Sequence, residues 1–491
     1  MAVILISVRL PSELPLATEL GKRLRGIGEE VILCSEEDAE PGTEAIRRTA
    51  ASTGAGYANM QREEQRLPEG IERTILATGT GRGRDAPFRK ITQLIDRIRI
   101  DRHLNKPRYQ AFIRLLSRQL IAAGQILDKH RVSLIIVFQD GASGNAPLIR
   151  AAGIRAIPVL DCPYGFGTSR DFEDYLREKQ REGGLVVLEG PLREIMLREY
   201  PRWTRRLDGE DVVMYPPDYI VARERLGMGL KLPWVVHGGN ATVLAAESQA
   251  MLEHYIDEGI EPDKIRMTGT VYCDVLHEGL MRRESEARKN AETRMVLVSI
   301  PPSYHVQRPG TNEFSTYEEM CERLIGAIAA TPHTSVTVSL HPGMTAEQRA
   351  VVERLGVNIS SEWIMRLIPA CDIYVTTFSS TIRWATVCGT PVINYNAYAY
   401  SSRDYDDIRD IYKVTSVADV RRILGELMQE NVYRETAGRQ RDVGQRWGML
   451  DGRNFARTYQ VIRDLCRGSG ERAAGCIGAT GKPVEGRVND N

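Results

Sequence analysis

The stretch Ala370–Asn396, ACDIYVTTFSSTIRWATVCGTPVINYN, sets Ser379, Ser380 and Thr381 in a row between an apolar strand-forming run and a short helical pattern that stops at Gly389. At a helix start four backbone N–H groups lack intrahelical partners, and the helix dipole adds about half a positive charge there. A phosphate or diphosphate is welcome at such a turn, and the hydroxyls can donate to its oxygens. The competing assignment is a plain helix cap, a common use of serine. In the same half of the chain, His341 in SLHPG ends a strand pattern where Pro342 and Gly343 turn the chain. Its imidazole is expected at the sheet rim, able to donate to phosphate, unless it only bonds a backbone carbonyl. The loop SIPPSYHVQ offers Ser303, Tyr304 and His305 to the same place, on position alone.

Groups able to exchange protons stand in the first half. A group that takes a proton from a hydroxyl must be a carboxylate or an imidazole within hydrogen-bond distance of it. Asp140 in FQDGASGNAP directly follows a strand pattern, with Gly141 and Gly144 keeping the loop compact, and Asp161 in LDCPYGFG holds an equivalent strand end. Asp in that position also serves as an Asx-turn or a helix cap. His237 in PWVVHGGN is followed by two glycines and Asn240, a proton-exchanging side chain beside a backbone thin enough for close approach of a ligand. A simple glycine turn explains the same residues.

Parallel, helix-covered sheets are what must position these groups. AVILISV, EEVILCS, SLIIVFQ, AIPVL and LVVLEG read as strands, with helical periods in ELPLATELGKRLRGIG and YQAFIRLLSRQLIAAGQILDKH between them, and SQAMLEHYIDEGI follows ATVLAAES. After KIRMTGTVYCDVLHE and a charged stretch, the same grammar resumes with RMVLVSI, SVTVSLHPG, DIYVTTFSS and PVINYN. The expected fold class is therefore α/β, with two doubly wound, parallel-sheet, Rossmann-like domains facing a cleft. The first spans 1–270 and the second 271–466, with Gly269 at the crossing, and the Gly-rich polar stretch 467–491 is expected to be disordered.

Composition excludes several classes. Lys plus Arg and Asp plus Glu are 65 each, so net charge recommends neither nucleic acid nor membrane as a partner. Eight cysteines without a C-x-x-C pair read as reduced thiols of a cytoplasmic protein. The N-terminal apolar run is too short to cross a bilayer and lacks a basic leader. One local exception is the segment from Arg82 to Arg118, with eleven Lys or Arg against three Asp. A basic amphipathic helix there would contact an anionic membrane surface or a phosphorylated lipid-linked acceptor, or else be a solvated face. The carboxylate-rich DYDDIRD near Asp404 reads as a loop rather than a metal site.

The motifs KIRMTGTVYCDVL, VSLHPG and CDIYVTTFSSTIRWATVCGTPVINYN resemble the C-terminal half of GT-B glycosyltransferases, in particular the branch with CDP-glycerol glycerophosphotransferases and surface-polysaccharide transferases. The N-terminal ISVRLPSELPLATELGKRLRGIGEEVILC is similar in kind to their first β-α-β unit. The resemblance implies a cytoplasmic, metal-independent transferase of cell-envelope polysaccharide biosynthesis. It would move a sugar or polyol phosphate from a nucleotide-activated donor to a glycan or lipid-linked acceptor, with no cofactor beyond that donor. Ser379, Ser380, Thr381, His341 and Ser303 would hold the donor phosphates, and His237 or Asp140 would be the base. One position departs from the pattern. Where many such enzymes carry an acidic residue for ribose or sugar hydroxyls, this chain has Trp384, preceded by Arg383. An indole N–H only donates. Two other classes share the fold: a UDP-N-acetylglucosamine 2-epimerase, whose Gly-x-Arg-Pro-Glu type of signature is replaced here by VRLPSE, and a catalytically inactive binding protein.

Overall fold

The structure is a computed structural model that describes residues 1–36, 42–72, 100, 102–165, 176–177, 179–180, 183–285, 293–300, 313–340, 344–377, 379–398, 406, 408 and 410–477, with side chains to 468. Its strands in chain order are β1 (Val3–Val8), β2 (Glu30–Ser35), β3 (Gly56–Asn59), β4 (Leu134–Val137), β5 (Val159–Asp161), β6 (Val186–Val187), β7 (Thr204–Leu207), β8 (Glu210–Val213), β9 (Val243–Ala246) and β10 (Ile265–Met267). The second half adds β11 (Arg294–Ser299), β12 (Thr334–Ser339), β13 (Asn358–Ser360), β14 (Ile373–Thr376), β15 (Val392–Tyr395) and β16 (Tyr412–Val414).

Two parallel sheets result, of order β10-β9-β5-β4-β1-β2-β3 and β13-β12-β11-β14-β15-β16. Their central strands are near-continuous Val, Ile and Leu because helices cover both faces. In β1, Ile4 to Ile6 are fully buried and pair on one side with Leu134 to Ile136 and on the other with Val31 to Leu33. This is the expected pair of Rossmann-like α/β domains.

Strand order reverses between β1 and β4 in the first sheet and between β11 and β14 in the second. At such points the loops leaving the carboxyl ends diverge and open a crevice, where ligands of doubly wound sheets sit. Arg9, Asp140 and the Ser379–Thr381 turn all follow strands that flank these two points.

The structure differs from the sequence reading in three places. LVVLEG supplies β6, which lies in a separate antiparallel sheet of order β6-β8-β7 and not in the parallel sheet. The short strands β3, β10, β13 and β16 escape a periodicity search because three or four residues carry almost no pattern. The chain also stays helical through Asn454–Ile477, past residue 467, and residues 478–491 lie outside the described part.

That last helix returns to the first domain: Tyr459 donates from its hydroxyl to Glu29 Oε1 at 2.8 Å, and Arg457 Nε donates to the Thr268 carbonyl at 2.9 Å. Ile462 shares one buried cluster with Leu16 and Leu20 of the first domain, Tyr272 and Leu276 of the helix Val271–Ser285, and Trp384 of the second domain. Gly269 lies at the crossing with φ of 72°, and a Cβ there would lie 1.7 Å from Asn454 Oδ1. Only glycine lets the returning helix approach that turn.

Candidate functional site

The hydroxyl turn of the second domain is built as its sequence suggests. β14 ends at Thr376, and the helix Thr381–Cys388 begins five residues later and closes at Gly389 in the left-handed region with φ of 69°. Ser379, Ser380 and Thr381 are half-buried there. Ser379 Oγ lies 2.6 Å from Thr381 Oγ1, which lies 2.5 Å from the hydroxyl of Tyr374. Ser380 occupies the N-cap position in helical backbone conformation and makes no side-chain cap bond. A serine that served only as a cap would hold an extended backbone and accept from the N–H two or three residues on. That bond is made by Ser379, whose Oγ accepts from Thr381 N at 3.3 Å, while the Ser380 hydroxyl lies half-buried at the helix start.

Asp140 is differently placed from a base. Its side chain is fully buried; Oδ1 accepts from Gly239 N at 2.9 Å, and Oδ2 accepts from Ala241 N at 2.8 Å and from Lys264 Nζ at 2.9 Å. Three donors, one of them charged, make this carboxylate the anchor that fastens the His237–Ala241 loop to the end of β4. The glycines serve the same packing. A Cβ on Gly239 would lie 1.8 Å from the Asp140 carbonyl oxygen, and one on Gly141 2.4 Å from that of Val235. So the thin backbone of HGGN admits the neighbouring loop rather than a ligand. Lys264, the third donor, carries no sequence signal, because nothing local marks a lysine that will meet a carboxylate 124 residues away.

His237 pairs with Asp161, Nδ1 to Oδ2 at 2.7 Å, with the histidine 4% exposed and the aspartate fully buried. Burial by itself pulls the imidazole down, but the carboxylate of Asp161, joined by Asp140 and Glu247, outweighs it and holds the imidazole up at about 9. Burial also pushes Asp161 up, to about 6, against the pull of His237. The neighbouring carboxylate favours the protonated imidazole, which donates hydrogen bonds.

The pair is tied to the second domain. The His237 ring packs edge-on against Tyr255, with centroids 5.4 Å apart. Tyr255 donates from its hydroxyl to Glu247 Oε2 at 2.9 Å, and Arg383 Nη1 donates to Glu247 Oε1 at 3.2 Å. Arg383 stands in the helix that opens with the serines. Contacts therefore run unbroken from Arg383 to Asp161, through residues no more than 4% exposed. Glu247 carried the same sequence signal as Asp140, a carboxylate just past a strand, and was overlooked; Arg383, its partner, is buried in the core.

Trp384 is a core residue. It is 2% exposed, lies under the Arg383 guanidinium at 4.0 Å and meets Tyr272 edge-on at 5.4 Å. The helix face that carries an acid in the resembled enzymes is here turned into the interdomain core. Ser303, Tyr304, His305 and His341 lie outside the described residues, as do Asp404 and most of residues 82–105.

The two-domain architecture is that of GT-B proteins. The structure matches the UDP-GlcNAc 2-epimerase of Neisseria meningitidis bound to UDP-GlcNAc with a TM-score of 0.50 at 11% identity, covering 95% of this chain and 99% of that one. It matches the calicheamicin glycosyltransferase CalG4 with a TM-score of 0.51 at 12% identity, covering 95% and 98%. S. aureus MnaA in its UDP co-structure gives 0.50 at 10% identity, covering 94% and 96%. Transferase and epimerase share this fold, so the likeness defines the architecture and leaves the reaction to the site. No protein-family model matches the sequence. Nor does any curated protein.

Proposed function

We propose that this protein is a transferase that moves a sugar or a polyol phosphate from a nucleotide-activated donor to a carbohydrate or lipid-linked acceptor. The observation that carries the reading is the hydroxyl turn, Ser379, Ser380 and Thr381, opening a helix at the switch point of the second sheet, where Ser380 makes no side-chain cap bond. Hydroxyls and a helix start together favour a diphosphate leaving group without a metal. His341 and Ser303 are assigned to the same phosphates on sequence position. The first domain, taken as residues 1–270, binds the acceptor. The His237 imidazole, held by Asp161, is assigned to the acceptor side of the reaction, and Asp140 to anchoring the loop that carries it.

A cytoplasmic setting in cell-envelope polysaccharide synthesis accompanies this reading, with surface contact to anionic lipid through residues 82–118. Lys106, Arg108 and Arg114 are exposed on the helix Lys106–Lys129. Arg118 turns inward onto the carbonyls of Glu64, Leu67 and Pro68. Among the described residues no helix is long and apolar enough to cross a membrane. Sedimentation with anionic and with neutral vesicles tests the contact; equal recovery from both rejects it.

Calorimetric titration with UDP, GDP, CDP, CMP and ADP tests the donor site. One nucleotide should bind at micromolar strength, and Ser380→Ala should weaken it about tenfold or more, the size of one charge-assisted hydrogen bond. If none binds, the hydroxyls belong to the turn alone and the transferase reading fails. If the bound nucleotide's sugar is isomerised with no acceptor present, the epimerase reading replaces it.

A further inference from the structure

The first sheet has its own switch-point crevice, and Ser379, Ser380 and Thr381 do not line it. It encloses about 670 Å3, and its wall includes Arg9 just past β1, Glu36 just past β2, Gln61, Asn145, Tyr215 and Tyr219. That size lies within the range of sites built for small molecules.

The walls are held in place. Glu13 accepts from the backbone N–H groups of Arg9 and Leu10 at 2.6 and 3.2 Å, which fixes the loop that carries Arg9. Tyr215 donates to the Ala142 carbonyl at 3.2 Å, and its ring lies 5.2 Å from that of Tyr219, which in turn packs edge-on against Phe112 at 5.2 Å. Asn145 caps the helix Ala146–Ile154 through Leu148 N. Within this frame Arg9 Nε is buried and has no hydrogen-bond partner. A buried donor left unmatched is costly, and a ligand oxygen would remove the cost.

The chemistry of the wall selects a ligand class. Arginine, glutamate, glutamine and asparagine each present paired donors or acceptors in a plane, suited to neighbouring hydroxyls on a ring. Aromatic rings offer an apolar face to its carbons. Charge sets a limit. Among the described residues that line the crevice Arg9 is the one cation, beside Glu36 and Glu64, and Arg118 faces Glu64 at 3.7 Å. Burial pushes Glu36 up to about 8, opposed by Arg9 and reinforced by Glu13, so its carboxyl can donate as well as accept near neutrality. One arginine is too little to balance a doubly charged phosphate here.

We infer that this crevice binds a hydroxyl-rich ring, a sugar or cyclic polyol with at most one negative charge, gripped by Arg9 and Glu36 and packed against the Tyr215–Tyr219 pair. The inference rests on the transferase reading only where it makes this ring the acceptor; binding itself needs no nucleotide.

Saturation-transfer NMR on the full chain without nucleotide tests it, using methyl glucoside, methyl N-acetylglucosaminide, methyl glucuronide, myo-inositol and glucose 1-phosphate as probes. At least one neutral or singly charged ring should give transfer that falls about fivefold or more in Arg9→Ala and in Glu36→Gln but persists in Ser380→Ala. Gln61→Ala, on an exposed residue of the wall, serves if Arg9→Ala fails to fold. The inference is overturned if no ring binds, if binding survives these substitutions or is lost in Ser380→Ala, or if the phosphate binds best. Failure of every nucleotide to bind would leave this result standing and remove only the acceptor label.

Discussion

Arg383 and Glu247 form an ion pair across the two domains, Nη1 to Oε1 at 3.2 Å, with each side chain about 1% exposed. It joins the hydroxyl-bearing helix of the second domain to the residue that follows β9 in the first. Neither charge has water to fall back on, so the pair specifies one relative placement of the domains at the cost of desolvating both ions.

Removing one partner should therefore be severe. Arg383→Ala is expected to destabilise the protein by about 3 to 5 kcal/mol, because it strands the Glu247 carboxylate in the core. The double change Arg383→Met with Glu247→Leu should recover most of that loss. Urea unfolding of the wild type, both single variants and the double variant measures the coupling. Additive effects would mean that the two side chains do not depend on each other.

The His237–Asp161 pair makes stability depend on pH. Folding raises the histidine to about 9 from an ordinary value near 6.5. A raised folded value means that the folded state binds the proton more tightly, so the contribution is fully present below about 6.5 and fades as pH rises through 9. The melting temperature should fall across that window in the wild type and fall less in His237→Gln. Parallel curves would show that the imidazole is neutral in the folded protein.

Asp140 offers a contrast between anchor and base. Asp140→Asn keeps the size but loses the charge that Lys264 requires, and about 3 kcal/mol of stability should go with it. The loss should appear in denaturant titration with no substrate present. A variant as stable as the wild type would return Asp140 to the list of proton acceptors.

Two glycines should respond in opposite directions to alanine. At Gly239 the added methyl meets the Asp140 carbonyl at 1.8 Å, and a cost of about 3 kcal/mol or more follows from moving two packed loops apart. At Gly153, exposed near the end of the helix Ala146–Ile154, nothing lies within 4 Å of the new Cβ. That change should stabilise by about 0.5 to 1 kcal/mol through helix propensity. Thermal unfolding of the two variants side by side checks both signs.

What the sequence determined by itself is local. Apolar runs of β-branched residues separated by amphipathic periods are enough for two parallel sheets, since every strand buried on both faces must read that way. The turn from β14 through Ser379 to Thr381, its helix and the stop at Gly389 were legible for the same reason: caps, strand ends and glycine turns act over a few residues. Which residues would meet was decided by the tertiary structure. Asp140 and His237 looked alike as proton-exchanging groups at loop starts. Folding gave one a lysine 124 residues away and two backbone donors, and gave the other a carboxylate 76 residues away. Arg383, Glu247 and Trp384 became a buried seam only because the second domain docks there. Charge neutralisation and close packing between distant segments depend on positions in space, and no spacing along the chain records them.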